Sequence, residues 1–202
     1  MNLWAIVPLK PLDQAKSRLS GLLSPSQRAQ LVLSMLDHTL AVLVNWSVLD
    51  GVLVVSADHS ICERAQKAGA QTLLEPDTPG LNDSLERARQ AVLQRGAQAI
   101  LVVPGDIPQV SQAALSTLLP QQPVSPFIAI AADRHQQGTN ALLLAPADII
   151  PFKFGDASFQ KHQNLARKAH ADLKIITLDA LANDIDCPDD FALLNLELSK
   201  LD

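Results

Sequence analysis

Ala99-Ile100-Leu101-Val102-Val103-Pro104-Gly105-Asp106-Ile107-Pro108 decides how this chain is read. Its apolar run carries no polar alternation, the pattern of a strand buried on both faces in the middle of a parallel sheet. The Pro104-Gly105 pair ends the run abruptly. Asp106 therefore stands at the carboxyl end of a central strand, the edge at which open α/β sheets bind ligands. Asp is also common in turns for its local hydrogen bonding. The stretch alone leaves Asp106 open between turn former and ligand-binding group. Other carboxylates and cations gathered at the same edge would decide for the second.

Upstream of this strand, strands and helices alternate. Leu3 to Leu9 reads as a first strand. Ser24-Pro25-Ser26-Gln27 has the form of a helix start: Ser24 caps, Pro25 fits the first helical position, and Gln27 closes a capping box. The helix runs through Leu31, Met35, Leu36 and Leu40 to Val44. Val48 to Ser56 reads as a strand, Ser60 to Ala68 as a helix ended by Gly69, and Ala70 to Leu74 as a strand. Asn82 to Gln94 reads as a helix ended by Gly96, and Ser111 to Leu119 as a helix after the opening strand. This order implies a mostly parallel sheet with right-handed crossovers.

The second half breaks the alternation. Phe127 to Ala132 and Asn140 to Leu144 are apolar strands joined by a short polar loop, which suggests an antiparallel ribbon or a sheet edge. Ser158 to Ala171 reads as a helix and Leu173 to Leu178 as a strand. Asp184 to Cys187 reads as a brief extended piece, and Pro188 begins a last helix carrying Phe191, Leu194 and Leu198. No linker interrupts the chain. One α/β domain over residues 1–202, with a mixed sheet, is expected.

Composition narrows the function classes. The 202 residues suffice to bury a core without staples, and with 3% aromatics that core must be aliphatic. So few aromatics argue against a base-stacking platform for single strands. The net charge of −5 argues against nonspecific nucleic-acid binding. Cys62 and Cys187 form no CxxC and read as reduced thiols. No secretory signal and no membrane-length apolar run is visible, so a cytoplasmic protein with no membrane partner is expected. The apolar face from Leu31 to Leu40 suits either core or a homodimer interface.

Walker-type phosphate loops, GxGxxG after a strand, HExxH and GxSxG are all missing from the sequence. What is present is a basic segment, Lys10 to Leu19, with Lys10, Lys16 and Arg18 after the first strand. Cations at a strand's carboxyl end suit a polyphosphate, although a solvated charged loop has the same composition. In Asp184-Ile185-Asp186, alternate residues of an extended segment point the same way. The two carboxylates would then share a face and offer hard oxygens to Mg²⁺ or Mn²⁺. Asp186 also precedes Pro188 and a helix, where Asp caps. Gly138-Thr139-Asn140 and Phe154-Gly155-Asp156-Ala157-Ser158 combine a hydroxyl donor, a glycine that admits close approach, and a helix start, a set that suits an anion or an ordinary turn and cap. Asn82 caps a helix or reads a nucleoside. Three carboxylates facing a basic loop have the charge layout of metal-assisted phosphoryl or nucleotidyl transfer.

With these residues in place, the chain resembles the 2-phospho-L-lactate guanylyltransferases of deazaflavin coenzyme F-420 biosynthesis, including the forms that use phosphoenolpyruvate or 3-phosphoglycerate. The resemblance runs through Val7-Pro8-Leu9-Lys10, Ala15-Lys16-Ser17-Arg18-Leu19, Gly80-Leu81-Asn82, Pro104-Gly105-Asp106-Ile107-Pro108, Gly138-Thr139-Asn140-Ala141-Leu142, Phe154-Gly155 with Ser158-Phe159 and His162, and Asp184-Ile185-Asp186 with Pro188 and Asp190. It implies a single-domain nucleotidyltransferase fold, like that of nucleotide-diphospho-sugar transferases, three-layered with a mostly parallel sheet. It implies GTP and a small phosphorylated hydroxy or enol acid as substrates. Asp106, Asp184 and Asp186 would hold the metal. Lys10, Lys16 and Arg18 would face the triphosphate, Asn82 the nucleoside, and Thr139, Gly155 and Ser158 the acceptor. Catalysis would fall to Asp106, Lys16 and Arg18. The sequence departs from the family pattern at Asp133-Arg134-His135-Gln136-Gln137, at Asp156-Ala157 and at Asp83-Ser84. A molybdopterin or sugar-phosphate nucleotidyltransferase would open with a glycine-rich loop, where Val7-Pro8-Leu9-Lys10 stands. A catalytically silent nucleotide-binding protein is the other alternative.

Overall fold

The computed structural model describes residues 1–78, 80–122 and 125–193. Seven strands form one sheet: β1 (Leu3–Pro8), β2 (Gly51–Ser56), β3 (Gln71–Leu74), β4 (Ala99–Val102), β5 (Phe127–Ala132), β6 (Thr139–Ala145) and β7 (Asp172–Ile176). Their spatial order is β3-β2-β1-β4-β6-β5-β7. All pairs are parallel except the two made by β6, which runs antiparallel to β4 and β5. The β5–β6 ribbon is as expected, but it does not lie at an edge. β6 is buried along its whole length, and a strand apolar on both faces needs a neighbour on each side.

The helices are α1 (Pro25–Val44), α2 (His59–Lys67), α3 (Leu81–Leu93), α4 (Gln112–Ser116), α5 (Ser158–Lys168), α6 (Asp179–Ala182) and α7 (Pro188–Leu193). They cover both faces of the sheet, because strand side chains alternate. Leu3, Ala5 and Val7 pack with Leu36 and Leu40 of α1 and Ile61 of α2. Trp4 and Ile6 pack on the other face with Leu85 and Ala88 of α3 and Phe159 of α5. The Leu31-to-Leu40 face of α1 is core within one chain. α1 starts on the expected capping box: the Ser24 hydroxyl accepts from Gln27 N–H at 3.2 Å, and Gln27 accepts from Ser24 N–H at 3.1 Å.

Some boundaries differ from expectation. β2 begins at Gly51, because Val48 and Leu49 belong to a turn in which Leu49 N–H donates to Trp46. Only glycine fits there, since a Cβ on Gly51 would meet the Trp4 ring at 2.6 Å. α4 stops at Ser116, and the chain to Leu119 continues in tight turns. Asp184 to Cys187 joins no strand ladder. α6 and a 3-10 turn at Ser17–Leu19 were not expected. The side chains of Phe191, Leu194 and Leu198 lie outside the described residues. Among the described residues no helix is long and apolar enough to cross a membrane.

Strands β1, β2 and β3 progress in one direction, and β4 returns to the other side of β1. Strand order thus reverses between β1 and β4, and the crevice beyond their carboxyl ends is the favoured ligand position of such a sheet. The basic segment follows β1 and Pro104-Gly105-Asp106 follows β4, so both flank this crevice.

Candidate active site

The crevice is a cavity of about 450 Å³ whose walls include Lys10, Lys16, Arg18, Glu75, Asp106 and Asp186. The basic loop reaches it because its apolar members are pinned elsewhere. Ala15 and Leu19 are buried with Leu31 and Met35 of α1 and with Ile185. Lys16 between them has φ +53°, a left-handed conformation uncommon for a side-chain-bearing residue. Its ammonium lies 2.7 Å from Asp106 Oδ2 and 3.3 Å from Asp186 Oδ1, and its side chain is only 7% exposed. Burial disfavours the charged ammonium, but the carboxylates of Asp106 and Asp186 outweigh it and raise the lysine above its ordinary pKa. Arg18 reaches Asp186 Oδ2 at 3.0 Å from a side chain that is 75% exposed. Lys10 stands exposed on the cavity wall.

The Asp184-Ile185-Asp186 segment arranges itself as alternation requires. Ile185 is fully buried in the cluster that pins the basic loop, and its N–H donates to the Asp106 carbonyl at 3.2 Å. Asp106, Asp184 and Asp186 can each offer an oxygen such that all three lie within 4.8 Å of one another. Clustered carboxylate oxygens are the donor set of a hard cation such as Mg²⁺ or Mn²⁺. Asp184 has its carboxyl raised above the usual range, first by burial and then by the Asp106 charge. Proximity to that charge is what a cation between them would relieve.

The capping alternative for Asp186 fails on geometry. The residue that holds the start of α7 is Asp190, whose Oδ2 accepts from the N–H of both Asp186 and Cys187 at 2.6 Å. Its other oxygen pairs with Arg134. Burial pushes the Asp190 carboxyl up, but the two N–H groups and Arg134 outweigh it and hold it below the ordinary value. Arg134, one of the departures from the family pattern, thereby braces the acidic segment. Asn140 braces it from β6: its amide donates to the carbonyls of Leu181 and Ala182 at 3.0 and 3.1 Å and reaches Asp184 Oδ1 at 3.4 Å.

Val102 of β4 pairs antiparallel with Leu142 of β6, which brings Thr139 to the sheet edge that carries Asp106. Thr139 Oγ1 lies 3.0 Å from His162 Nδ1, and His162 Nε2 accepts from Lys153 N–H at 3.0 Å. A neutral imidazole has one N–H, so Nδ1 carries it and donates to Thr139. The threonine hydrogen is left to donate outward. His162 is fully buried. Burial, with a smaller contribution from Lys161, lowers its pKa to about 4, consistent with the neutral ring. Gly155 has φ +105° and Ala157 φ +51°, the tight turn that starts α5 at the buried Ser158. Phe154 lines the cavity; Thr139, Gly155 and Ser158 are not among the residues that do.

Asn82 neither caps α3, whose N-cap is Gly80, nor lines the cavity. Its amide is closed on Phe154: Nδ2 donates to the Phe154 carbonyl at 3.1 Å, and Oδ1 accepts from Phe154 N–H at 2.8 Å. It clamps the strand-to-helix loop to α3. Sequence reasoning missed Glu75 and Ser84, buried polar residues on the cavity wall. The signal that could have found Glu75 is its position directly after a strand.

The sequence matches the family described as "Guanylyl transferase CofC like" over residues 3–199. It is 42% identical over 190 residues to phosphoenolpyruvate guanylyltransferase of Sphaerobacter thermophilus, covering 94% of this chain and 91% of that one. It is 36% identical over 204 residues to 3-phospho-D-glycerate guanylyltransferase of Colwellia psychrerythraea, covering 97% and 96%. A solved nucleotidyl transferase from Methanothermobacter thermautotrophicus superposes with a TM-score of 0.70 at 17% identity, covering 100% of this chain and 99% of that one, and so shares the fold. The chain belongs to the CofC-like guanylyl transferase family.

Proposed function

We propose that this protein transfers GMP from GTP to the phosphate of a small phospho-acid and releases pyrophosphate. Phosphoenolpyruvate is the first acceptor to test, beside 2-phospho-L-lactate and 3-phosphoglycerate. One observation carries the reading: the oxygens of Asp106, Asp184 and Asp186 converge within 4.8 Å, next to Lys16, with Asp106 and Asp186 on the wall of the crevice between β1 and β4 and Asp184 behind it.

Mg²⁺ or Mn²⁺, held by those three carboxylates, would supply charge neutralisation at the phosphates. Lys16 exchanges its carboxylate partners for a phosphate oxygen, and Arg18 and Lys10 face the outer phosphates from the cavity wall. Thr139 presents its hydroxyl hydrogen to the acceptor, fixed by His162. Gly155 and Ser158 stand off the cavity wall, and the first two N–H groups of α5 already donate to the Gly155 and Gln137 carbonyls, so this turn shapes the loop behind Phe154. An acceptor phosphate oxygen forms a bond to the α-phosphorus as the bond to the bridging oxygen breaks, and pyrophosphate departs. No general base is required, because a phosphate monoester with a second pKa of about 6 is already ionised at neutral pH.

Pyrophosphate release from GTP, assayed with Mg²⁺ and each of the three acceptors, tests the reading. Release that requires one of them is expected. Release with a sugar phosphate instead, or a folded Asp106→Asn protein that keeps full turnover, would overturn it.

A further inference from the structure

Glu75 is a buried carboxylate with no part in the chemistry described so far, and it lines the same cavity as Lys16 and Asp106. It directly follows β3, and its N–H continues the β2–β3 ladder by donating to the Ser56 carbonyl at 2.9 Å. The strand order β3-β2-β1-β4 sets the two ends of the cavity. Glu75 stands beyond β3 and Asp106 beyond β4, three strand spacings apart, or about 14 Å at ~4.8 Å each. That span suits a nucleotide laid across the strand ends with its phosphates at Asp106 and its base at Glu75. The reverse orientation would set a triphosphate against a buried carboxylate.

The acceptor capacity of Glu75 narrows the choice of base. Ser84 donates to Oε2 at 2.7 Å, and Arg87 reaches Oε1 at 3.4 Å while shared with Asp77 at 3.2 Å. A carboxylate has about four lone-pair sites, so one acceptor position remains on each oxygen. Two adjacent acceptors match two adjacent donors, and guanine presents them as N1–H and the exocyclic N2 amino group. Adenine offers an unprotonated N1 there, and its lone pair would face the carboxylate. Hypoxanthine keeps N1–H and lacks the amino group. Leu81 and Leu85 line the same cavity, on either side of Ser84 in α3, and supply an apolar wall for the ring.

We infer that Glu75, held in place by Ser84 and Arg87, is the residue that selects guanine. The inference rests on the nucleotidyltransferase reading of the cavity. It is tested by kcat/KM for GTP, ITP and ATP with phosphoenolpyruvate as acceptor. The wild type is expected to favour GTP over ITP by about 10-fold, the loss of one charge-assisted hydrogen bond, and over ATP by about 10⁴-fold, as a site with unpaired polar groups rejects a mismatch. Glu75→Gln is expected to lower the GTP value on the order of 100-fold, chiefly through KM, and to narrow the GTP-to-ATP ratio. Equal losses with all three nucleotides in a folded variant would overturn the inference, as would a wild type indifferent to the base. If Glu75→Gln fails to fold by circular dichroism, Ser84→Ala serves: it frees one carboxylate oxygen, and a weakened GTP-to-ITP preference is expected, an unchanged one contrary. If no nucleotide releases pyrophosphate with phosphoenolpyruvate, 2-phospho-L-lactate or 3-phosphoglycerate, the transferase reading fails. Calorimetric titration of the three nucleotides then still decides: preferential GTP binding supports the role of Glu75, and equal or absent binding overturns it.

Discussion

The loops after β1 and β4 and the segment between α6 and α7 set charge against charge across a cavity: Lys16 on Asp106 and Asp186, Arg18 on Asp186. The loops around β6 and α5 set neutral side chains against one another and against backbone: His162 on Thr139, Asn82 on Phe154, Asn140 on the carbonyls of Leu181 and Ala182. Both sit on the carboxyl edge of one sheet, yet they differ in what a ligand could replace. Ion pairs lining an open crevice can be exchanged for phosphate and cation with little net change in charge pairing. Buried neutral hydrogen bonds have no such substitute, since an unpaired buried group retains its full desolvation penalty. Under the proposed function, the first region would rearrange around a polyanion. The second is built to hold still.

The largest effect that separates the two regions is expected at Asp184. Asp184→Asn keeps shape and the contact to Asn140 but removes a charge from the acidic triad. Turnover should fall on the order of 10²–10³-fold, the scale for losing one electrostatic stabiliser of a transition state, with the melting curve little changed. Pyrophosphate release and calorimetry read the two. A variant with full turnover would dissolve the distinction.

His162 probes the rigid region through pH. Its folded pKa is near 4 against an ordinary 6.5, so the unfolded chain binds the proton first. The stability this residue contributes is complete above about pH 6.5 and declines as pH falls toward 4, by about 3 kcal/mol at full extent. Urea unfolding of the wild type at pH 7 and pH 5 should show the decline, and His162→Gln should flatten it. An unchanged slope in that variant would break the account of a neutral, proton-fixed ring. Asn140→Ala leaves two buried carbonyls and Asp184 with one donor fewer, and should lower stability by about 1–3 kcal/mol, measured by the same unfolding curves. Arg18→Ala should be the mildest. Its exposed pairing with Asp186 contributes roughly 0–1 kcal/mol. A few-fold rise in the KM for GTP at low salt should vanish at high salt.

The parts legible in the sequence were those written in local pattern. Unbroken apolar runs marked β1 and β4, and Ser24-Pro25-Ser26-Gln27 marked the start of α1. The acidic site was legible because strand ends and the i, i+2 spacing are geometric statements, and the structure brings Asp106, Asp184 and Asp186 together. The rest depended on partners far along the chain. Nothing near Asn82 points to Phe154, 72 residues later. Asp190 was named only within the family resemblance, and its hold on Asp186 appears only once α7 is placed. The insertion of β6 between β4 and β5 is a matter of tertiary competition for a strand buried on both faces, which periodicity cannot order.

Ile185 has a consequence beyond its own burial. It ties the acidic segment to the cluster that includes Ala15, Leu19 and Met35, so the anion-facing and cation-facing walls share a single apolar clasp. Opening that clasp would separate the carboxylates, and a cation that bound only the closed form would supply the closing free energy from its own affinity. Under the proposed metal role, metal affinity and local stability would be linked functions. Trimming one methylene from Ile185, which touches no ligand atom, would weaken both together.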